Sequence, residues 1–384
     1  MKRIFQLFVL FSLAAPMACS GCDQSANTKT QAVANYADIV LASYEDTLTT
    51  GKALDAALKK LVAAPSQASL DAAKKAWLAA REPYLQTEVF RFYEGPIDNE
   101  KNGPEGLLNA WPMDENYIDY TADKPGAGLI NDKAFEITAA NIEAANEAGG
   151  EKNVATGYHA IEFLLWGQDT SDTGPGARPY TDYVTDGTGT AANQDRRGQF
   201  LSVCGDLLVT HLTMLRDAWA DGGSYGAAFL KGGDASLEKI LTGMIILAGF
   251  ETGGERLQAA LDAGDREEEH SCFSDNTHRD MIQDVQGIVN VYTGTYAGTR
   301  NVSGKGIKHV IEANNTELAA RLGTEIQDAL SKANALNIPF EAEIVPSNPD
   351  GNKRVAALIA ALRTVEGTLE EAFAAMGFTV PVPE

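Results

Sequence analysis

Apolar residues recur three and four positions apart through much of the chain. Tyr36, Ile39, Val40, Tyr44 and Leu48 are followed by Leu54, Leu58, Leu61 and Val62. That spacing puts them on one face of a helix. Pro65 ends this segment. Ser69 is the expected N-cap of a second helix running through Trp77 and Leu85 toward Tyr93, with Pro83 expected to kink or break it. Further helical spacing covers about 132–148, 157–167, 194–220, 235–261, 276–296, 307–336 and 352–375. Nowhere does period-two alternation persist between turn signals, as strands would require. The pattern predicts an all-α protein built from helical bundles.

Two stretches break the periodicity. Residues 95–130 are punctuated by Gly95, Pro96, Gly103, Pro104, Gly106, Pro112, Pro125, Gly126 and Gly128, and residues 167–190 are again rich in Gly, Pro, Thr and Asp. Irregular segments of this length in a compact protein usually carry function. The first holds Asp98, Glu100, Trp111, Asp114, Glu115 and Asp119. At 384 residues the chain exceeds what one hydrophobic core usually supports. The loop before Gln194 is the expected boundary between an N-terminal bundle, 31–193, and a C-terminal bundle, 194–384.

The formal charge of −22 repels phosphate, so nucleic acid is not an expected partner. The first residues differ from the rest. Lys2 and Arg3 precede an apolar run, Ile4 to Ala15, of signal-peptide length. Ala18-Cys19 and Gly21-Cys22 then resemble lipoprotein processing sites, so residues 1–22 read as a signal peptide and lipobox region. The polar stretch Asp23 to Thr30 reads as a tether. An exported protein with a lipid anchor in a membrane is expected, a plain secretory signal being the alternative. The apolar run Ile240 to Phe250 is too short to span a bilayer. Cys204 and Cys272 remain for the folded part, as a disulfide or as two buried thiols.

Only five histidines occur, so each can be weighed. His159 and Glu162 lie three residues apart in the apolar run Gly157-Tyr158-His159-Ala160-Ile161-Glu162-Phe163-Leu164-Leu165-Trp166-Gly167, hence on one helical face. Such a pair can be half of a metal site, an acid/base pair, or a buried hydrogen-bonded pair. His309 and Glu312 repeat the spacing in a polar setting. His211, among leucines, reads as a satisfied histidine without a ligand role. A second cluster, Glu267 to Asp280, holds His270 and His278 among carboxylates. There Asp275 or Asn276 is the expected cap of the next helix and places His278 on its first turn. Zinc-protease His-Glu-x-x-His and phosphate-loop motifs are absent, and the cysteines lack zinc-finger spacing. Gly253-Gly254 reads as a helix irregularity.

Gly157-x-His159-x-x-Glu162 in this setting resembles the Gly-x-His-x-x-Glu motif of the imelysin-like proteins. The run Glu269-His270-Ser271-Cys272-Phe273-Ser274-Asp275-Asn276-Thr277-His278 resembles the iron-regulated protein A branch of that family. Trp77, Arg81, Glu88, Phe90-Arg91-Phe92 and Trp111-Pro112 look like its N-terminal pattern, and the likeness spans about residues 35 to 375. The resemblance implies two helical bundles with the functional site where they meet. It also implies an exported, periplasm-facing protein of bacterial iron uptake, and it carries a metallopeptidase label. On this reading the partner is a metal ion or iron chelate. His159 and Glu162 are the first-choice ligands, Asp275 and His278 reach them from the second half, and Arg81, Glu88 and Asp98 position them or contact the bound group. Carboxylate and imidazole together suit iron. The alternatives are a zinc peptidase using the same pair, and a polymer- or protein-binding module in which the pair is structural.

Overall fold

The computed structural model describes residues 20–171 and 173–379. Residues 1–19 of the expected signal-peptide and lipobox region, Cys19 among them, lie outside them. The helices in chain order are α1 Ser20–Ala63, α2 Gln67–Leu85, α3 Glu105–Leu108, α4 Glu115–Ile118, α5 Ala139–Ala145, α6 Gly157–Trp166, α7 Gln194–Trp219 and α8 Ser224–Phe229. They continue with α9 Asp234–Ile246, a π-helical segment Leu247–Gln258, α10 Ala259–Ala263, α11 Thr277–Thr293, α12 Ile307–Glu312, α13 Thr316–Ala333, α14 Glu341–Ile344 and α15 Pro349–Ala375. Extended pairing among the described residues is confined to Thr295–Tyr296 (β1) against Val302–Ser303 (β2), antiparallel. The protein is all-α.

Where boundaries differ from the periodicity, local chemistry explains it. The stretch expected as a tether, Asp23 to Thr30, belongs to α1, and Lys29 reaches Asp234 at 2.8 Å. Helix α2 is capped by Ser66, with Ser69 at the third position returning its hydroxyl to the Ser66 N–H at 2.9 Å. This is a reciprocal capping box, so Ser69 is the second half of the cap rather than the cap itself. Pro83 lies inside the last turn of α2, which ends at Leu85; a short 3₁₀ turn, Glu88–Phe90, follows where a continuous helix to Tyr93 was expected. The span 307–336 divides because Asn315 caps α13, its side chain accepting from Leu318 N–H at 3.0 Å. The expected 235–261 helix widens into the π segment containing Gly253 and Gly254. A Cβ at Gly249 in that segment would fall 1.9 Å from the Glu366 carboxyl carbon, so α15 crosses there at glycine distance.

Helices α1, α2, α6 and α7 pack on one another, as do α9, the π segment, α13 and α15. Helix α11 joins the groups, contacting α13 on one side and α2 on the other. Helix α7 begins at the expected boundary residue but packs along α1 and α6. A single continuous set of buried apolar side chains runs through all of them. The long irregular stretches are held by the buried Arg178 and Arg197 and the half-buried Arg196 in place of a backbone ladder. Arg197 of α7 meets Asp119 through Nε at 2.7 Å and Nη2 at 3.0 Å, and Arg178 meets the same carboxylate at 2.8 Å. Arg196 donates to the carbonyls of Ile130, Asp132 and Phe135 at 2.7, 2.8 and 2.8 Å. These bonds satisfy loop carbonyls that no helix or sheet serves. Cys204 and Cys272 are free buried thiols, so the bridge considered for them does not form here. Among the described residues no helix is long and apolar enough to cross a membrane.

Candidate functional site

Helix α6 is buried on every side, as an all-round apolar helix must be. Its start is set by Gly157, at φ +84°, where a Cβ would lie 2.5 Å from the Leu108 carbonyl oxygen. Only glycine tolerates both that backbone and that approach. Gly157→Ala is therefore expected to lower stability by at least about 1–3 kcal/mol, read as a reduced urea midpoint. An unchanged midpoint would refute the tight approach. The Trp77 indole N–H donates to the Tyr158 carbonyl at 2.9 Å, fixing α6 against α2.

This placement encloses His159 and Glu162 completely. His159 Nδ1 lies 2.9 Å from Glu162 Oε2, while Glu162 Oε1 accepts from the Ser274 N–H at 2.9 Å and its hydroxyl at 2.6 Å. Both carboxylate oxygens are thus engaged. His159 Nε2 is buried without a hydrogen-bond partner among the described residues. The ring meets His270 edge-on at 4.8 Å between centroids, and the half-buried Trp111 at 5.0 Å.

His270 repeats the arrangement. Its Nδ1 lies 2.7 Å from Asp280 Oδ2, and its Nε2 is 3.5 Å from Asn109 Nδ2. Asp280 also accepts from the Ser271 hydroxyl at 2.5 Å, Arg81 Nη2 at 3.2 Å and Asn276 Nδ2 at 3.1 Å. Arg81 Nη1 donates to Asn109 Oδ1 at 2.5 Å. The result is two imidazoles face to edge, each backed by a carboxyl group.

Burial separates the charges. It lowers His159 well below the usual imidazole range, with His270 adding to the effect, and lowers His270 to about 4. Both rings are neutral near pH 7, the form that can ligate a metal. Burial pushes Glu162 up to about 8 against the pull of Ser274 and Arg81. Burial would raise Asp280 as well, but the Arg81 guanidinium and the bonds from His270 and Ser271 outweigh it and hold that carboxyl well below the usual range. With Asp280 ionised, His270 Nδ1–H is the donor, and its Nε2 carries the lone pair.

The other expected site residues distribute unevenly. Arg81 lies in the site, under the rings of Trp77, Tyr84 and Tyr158. Glu88 pairs with Arg256 at 2.5 Å and Arg91 at 2.6 Å, in a buried charge network that makes no bond to His159 among the described residues. Asp98 holds a turn by accepting the N–H groups of Phe92, Tyr93 and Gly95. Asp275 does not join His159; it gathers with Asp169 and Glu341. His278 Nδ1 lies 3.2 Å from the Asp275 carbonyl, and no hydrogen bond or ring contact joins it to His159 among the described residues. The backbone at Asp275 is left-handed, φ +57°, so Ser274 faces Glu162 while its neighbour faces away. His211 bonds Glu143 at 2.9 Å, and His309 accepts the Gly306 N–H at 3.1 Å at the start of α12. Sequence spacing missed Asn109 entirely. His270, Ser274 and Asp280 stood inside the flagged 267–280 cluster, but nothing there ranked them above Asp275 and His278.

The family model described as Imelysin matches residues 40–369. The chain is 26% identical over 353 residues to Iron-regulated protein A of Synechococcus elongatus, covering 91% of this chain and 88% of that one. A crystal structure from Parabacteroides distasonis, described as an iron-regulated protein A precursor, superposes with a TM-score of 0.70 at 20% identity, covering 90% of this chain and 95% of that one. An imelysin-like protein from Psychrobacter arcticum gives a TM-score of 0.65 at 16% identity, covering 93% and 98%. With a family match over most of its length, and with that family's Gly-x-His-x-x-Glu motif buried at the heart of the site, the chain belongs to the imelysin family.

Proposed function

We propose that this protein binds iron, as the ion or a small chelate, at the paired imidazoles of His159 and His270. The observation that carries the reading is the enclosed Nε2 of His159, which has no hydrogen-bond partner among the described residues and stands beside a second neutral imidazole. A buried polar atom left unsatisfied is unfavourable, and a ligand is one way to satisfy it. Imidazole nitrogen suits iron and zinc. A carboxyl group behind each ring is the arrangement that orients metal-binding histidines. On this reading Glu162 and Asp280 orient the rings, and Arg81 and Asn109 hold the second ring in place. The name of the Synechococcus relative, with its reference to iron regulation, supports the choice of metal.

A zinc peptidase would need three protein ligands, an open position for water and a general base. Glu162 has both oxygens occupied by Ser274 and His159, which weighs against it in the base role. Titration of the chelator-treated protein with Fe²⁺ under argon, and with Zn²⁺, tests the reading. Binding is expected, with His159→Ala and His270→Ala each weakening it at least about 100-fold. Metal heats that persist unchanged in His159→Ala would rule the site out, and a fall in melting temperature with no metal binding in the wild type would favour a structural pair. Chelator-sensitive cleavage of an unfolded protein, lost in Glu162→Gln, would favour the peptidase.

The N-terminal pattern supports an exported, periplasm-facing protein tethered by a lipid on Cys19 or Cys22. Labelled palmitate is expected to enter the protein in cells and to be lost when both cysteines are replaced by Ala; labelling that survives would exclude the anchor.

A further inference from the structure

Behind the loop that carries His270 and Ser274, the fold gathers a second set of carboxylates. Asp169 follows α6, Asp275 precedes α11, and Glu341 opens α14. One oxygen from each lies within 4.8 Å of the other two. All three residues are buried, at 4%, 6% and 3% exposure respectively. Three segments remote in sequence thus bring like charges to one enclosed place, where mutual repulsion is weakly screened. Arg266 is a cation near Asp275, and its guanidinium also donates to the Ser171 carbonyl. Asp169 Oδ1 accepts the Ser171 N–H at 2.9 Å.

A separate observation points to a ligand. Asp275 Oδ1 meets no donor although the residue is enclosed, and the fully buried Glu269 has the Thr277 hydroxyl as its neighbouring donor. Glu269 is outside the three-residue group, yet Glu341 and Asp275 are its strongest charged neighbours. An enclosed Asp275 oxygen that meets no donor, on a residue grouped with other carboxylates, is the arrangement a cation completes.

We propose that Asp169, Asp275 and Glu341, with Glu269 beside them, form a site for a hard divalent cation of calcium size, separate from the imidazole pair. The donors are carboxylate oxygens alone, with no imidazole or thiolate, which selects calcium, magnesium or manganese over softer ions. Ligands delivered by loops and a helix start suit the adaptable coordination of calcium better than the strict octahedron of magnesium. Bound there, the cation fixes Asp275, and through it the loop that presents Ser274 to Glu162 and His270 to His159.

The test is a calcium titration of the chelator-treated mature chain, followed by melting temperature and calorimetry, with magnesium in parallel. Calcium is expected to raise the melting temperature at a midpoint of about 10⁻⁵–10⁻³ M, and to do so more than magnesium. Glu341→Gln and Asp169→Asn are each expected to weaken that response at least about tenfold while helical content stays that of the wild type. His159→Ala is expected to leave the calcium response intact, so failure here and failure of the iron reading are distinguishable. An absence of both heat and thermal shift with calcium overturns the site, as does an equal response in Glu341→Gln. Should the variants not fold, Tb³⁺ luminescence of the wild type decides: calcium is expected to quench it by competition, and emission that calcium leaves unchanged overturns the proposal.

Discussion

Arg81→Ala is expected to destabilise the protein by about 3–5 kcal/mol, because it leaves the Asp280 carboxylate buried without its cation. Both side chains are fully enclosed, so water cannot replace the guanidinium. Arg81 also donates to Asn109 and lies 5.5, 5.7 and 5.1 Å from the ring centres of Trp77, Tyr84 and Tyr158. Arg81→Lys is expected to recover only part of the loss, since one ammonium cannot present the planar fork that meets Asn109 and Asp280 together. Adding Asp280→Asn to Arg81→Ala removes the stranded charge, so the double variant is expected to be more stable than Arg81→Ala alone. The pH dependence has a definite sign. Asp280 is depressed in the folded state, so its contribution is present above the ordinary carboxylate range near 4 and is lost only as pH falls toward its much lower folded value. The difference between wild type and Arg81→Ala should therefore persist at neutral pH and close in strong acid. Denaturant unfolding of Arg81→Ala within about 1 kcal/mol of the wild type would contradict this account of the site.

Glu162→Gln is expected to weaken metal binding by about 10–100-fold with little change in shape. Glutamine can still accept from Ser274 through its carbonyl oxygen. With its pKa at about 8, the Glu162 carboxyl can release its proton as metal binds and accept from His159 Nδ1–H, whereas the glutamine amide facing Nδ1 stays a donor and keeps the ring proton on Nε2. That proton occupies the lone pair the metal requires. The same variant separates two roles for the carboxyl group. If Glu162 only fills space, calorimetry should give the wild-type affinity; if it sets the tautomer, affinity falls while the denaturant midpoint barely moves. A wild-type affinity in Glu162→Gln would remove Glu162 from the site's chemistry.

Much of the architecture was legible from periodicity alone. The helical spacing of Tyr36 through Val62 and of Gln194 through Trp219 survives as α1 and α7, and the apolar frame of His159 correctly implied a buried helix. The pairing of His159 with Glu162 followed from three-residue spacing, because that relation is internal to one helix. The cluster at 267–280 was recognisable by composition, yet its members could not be ranked. His270 and Asp280 are ten residues apart and meet because the chain turns at Asp275 before α11 begins. No period links them. Asn109 is further removed still, arriving on the irregular stretch that Arg178 and Arg197 clamp to the helices through Asp119.

The sequence by itself determined the helical class, the buried Gly-x-His-x-x-Glu segment and the family, since each depends on residues close along the chain or on a pattern carried by many of them. The tertiary structure decided which second imidazole faces His159, that Glu162 spends its oxygens on Ser274 and His159, and that Asp275 turns instead toward Asp169 and Glu341. Those relations depend on backbone direction at single loop residues and on helix-to-helix contact. Local propensity does not encode either.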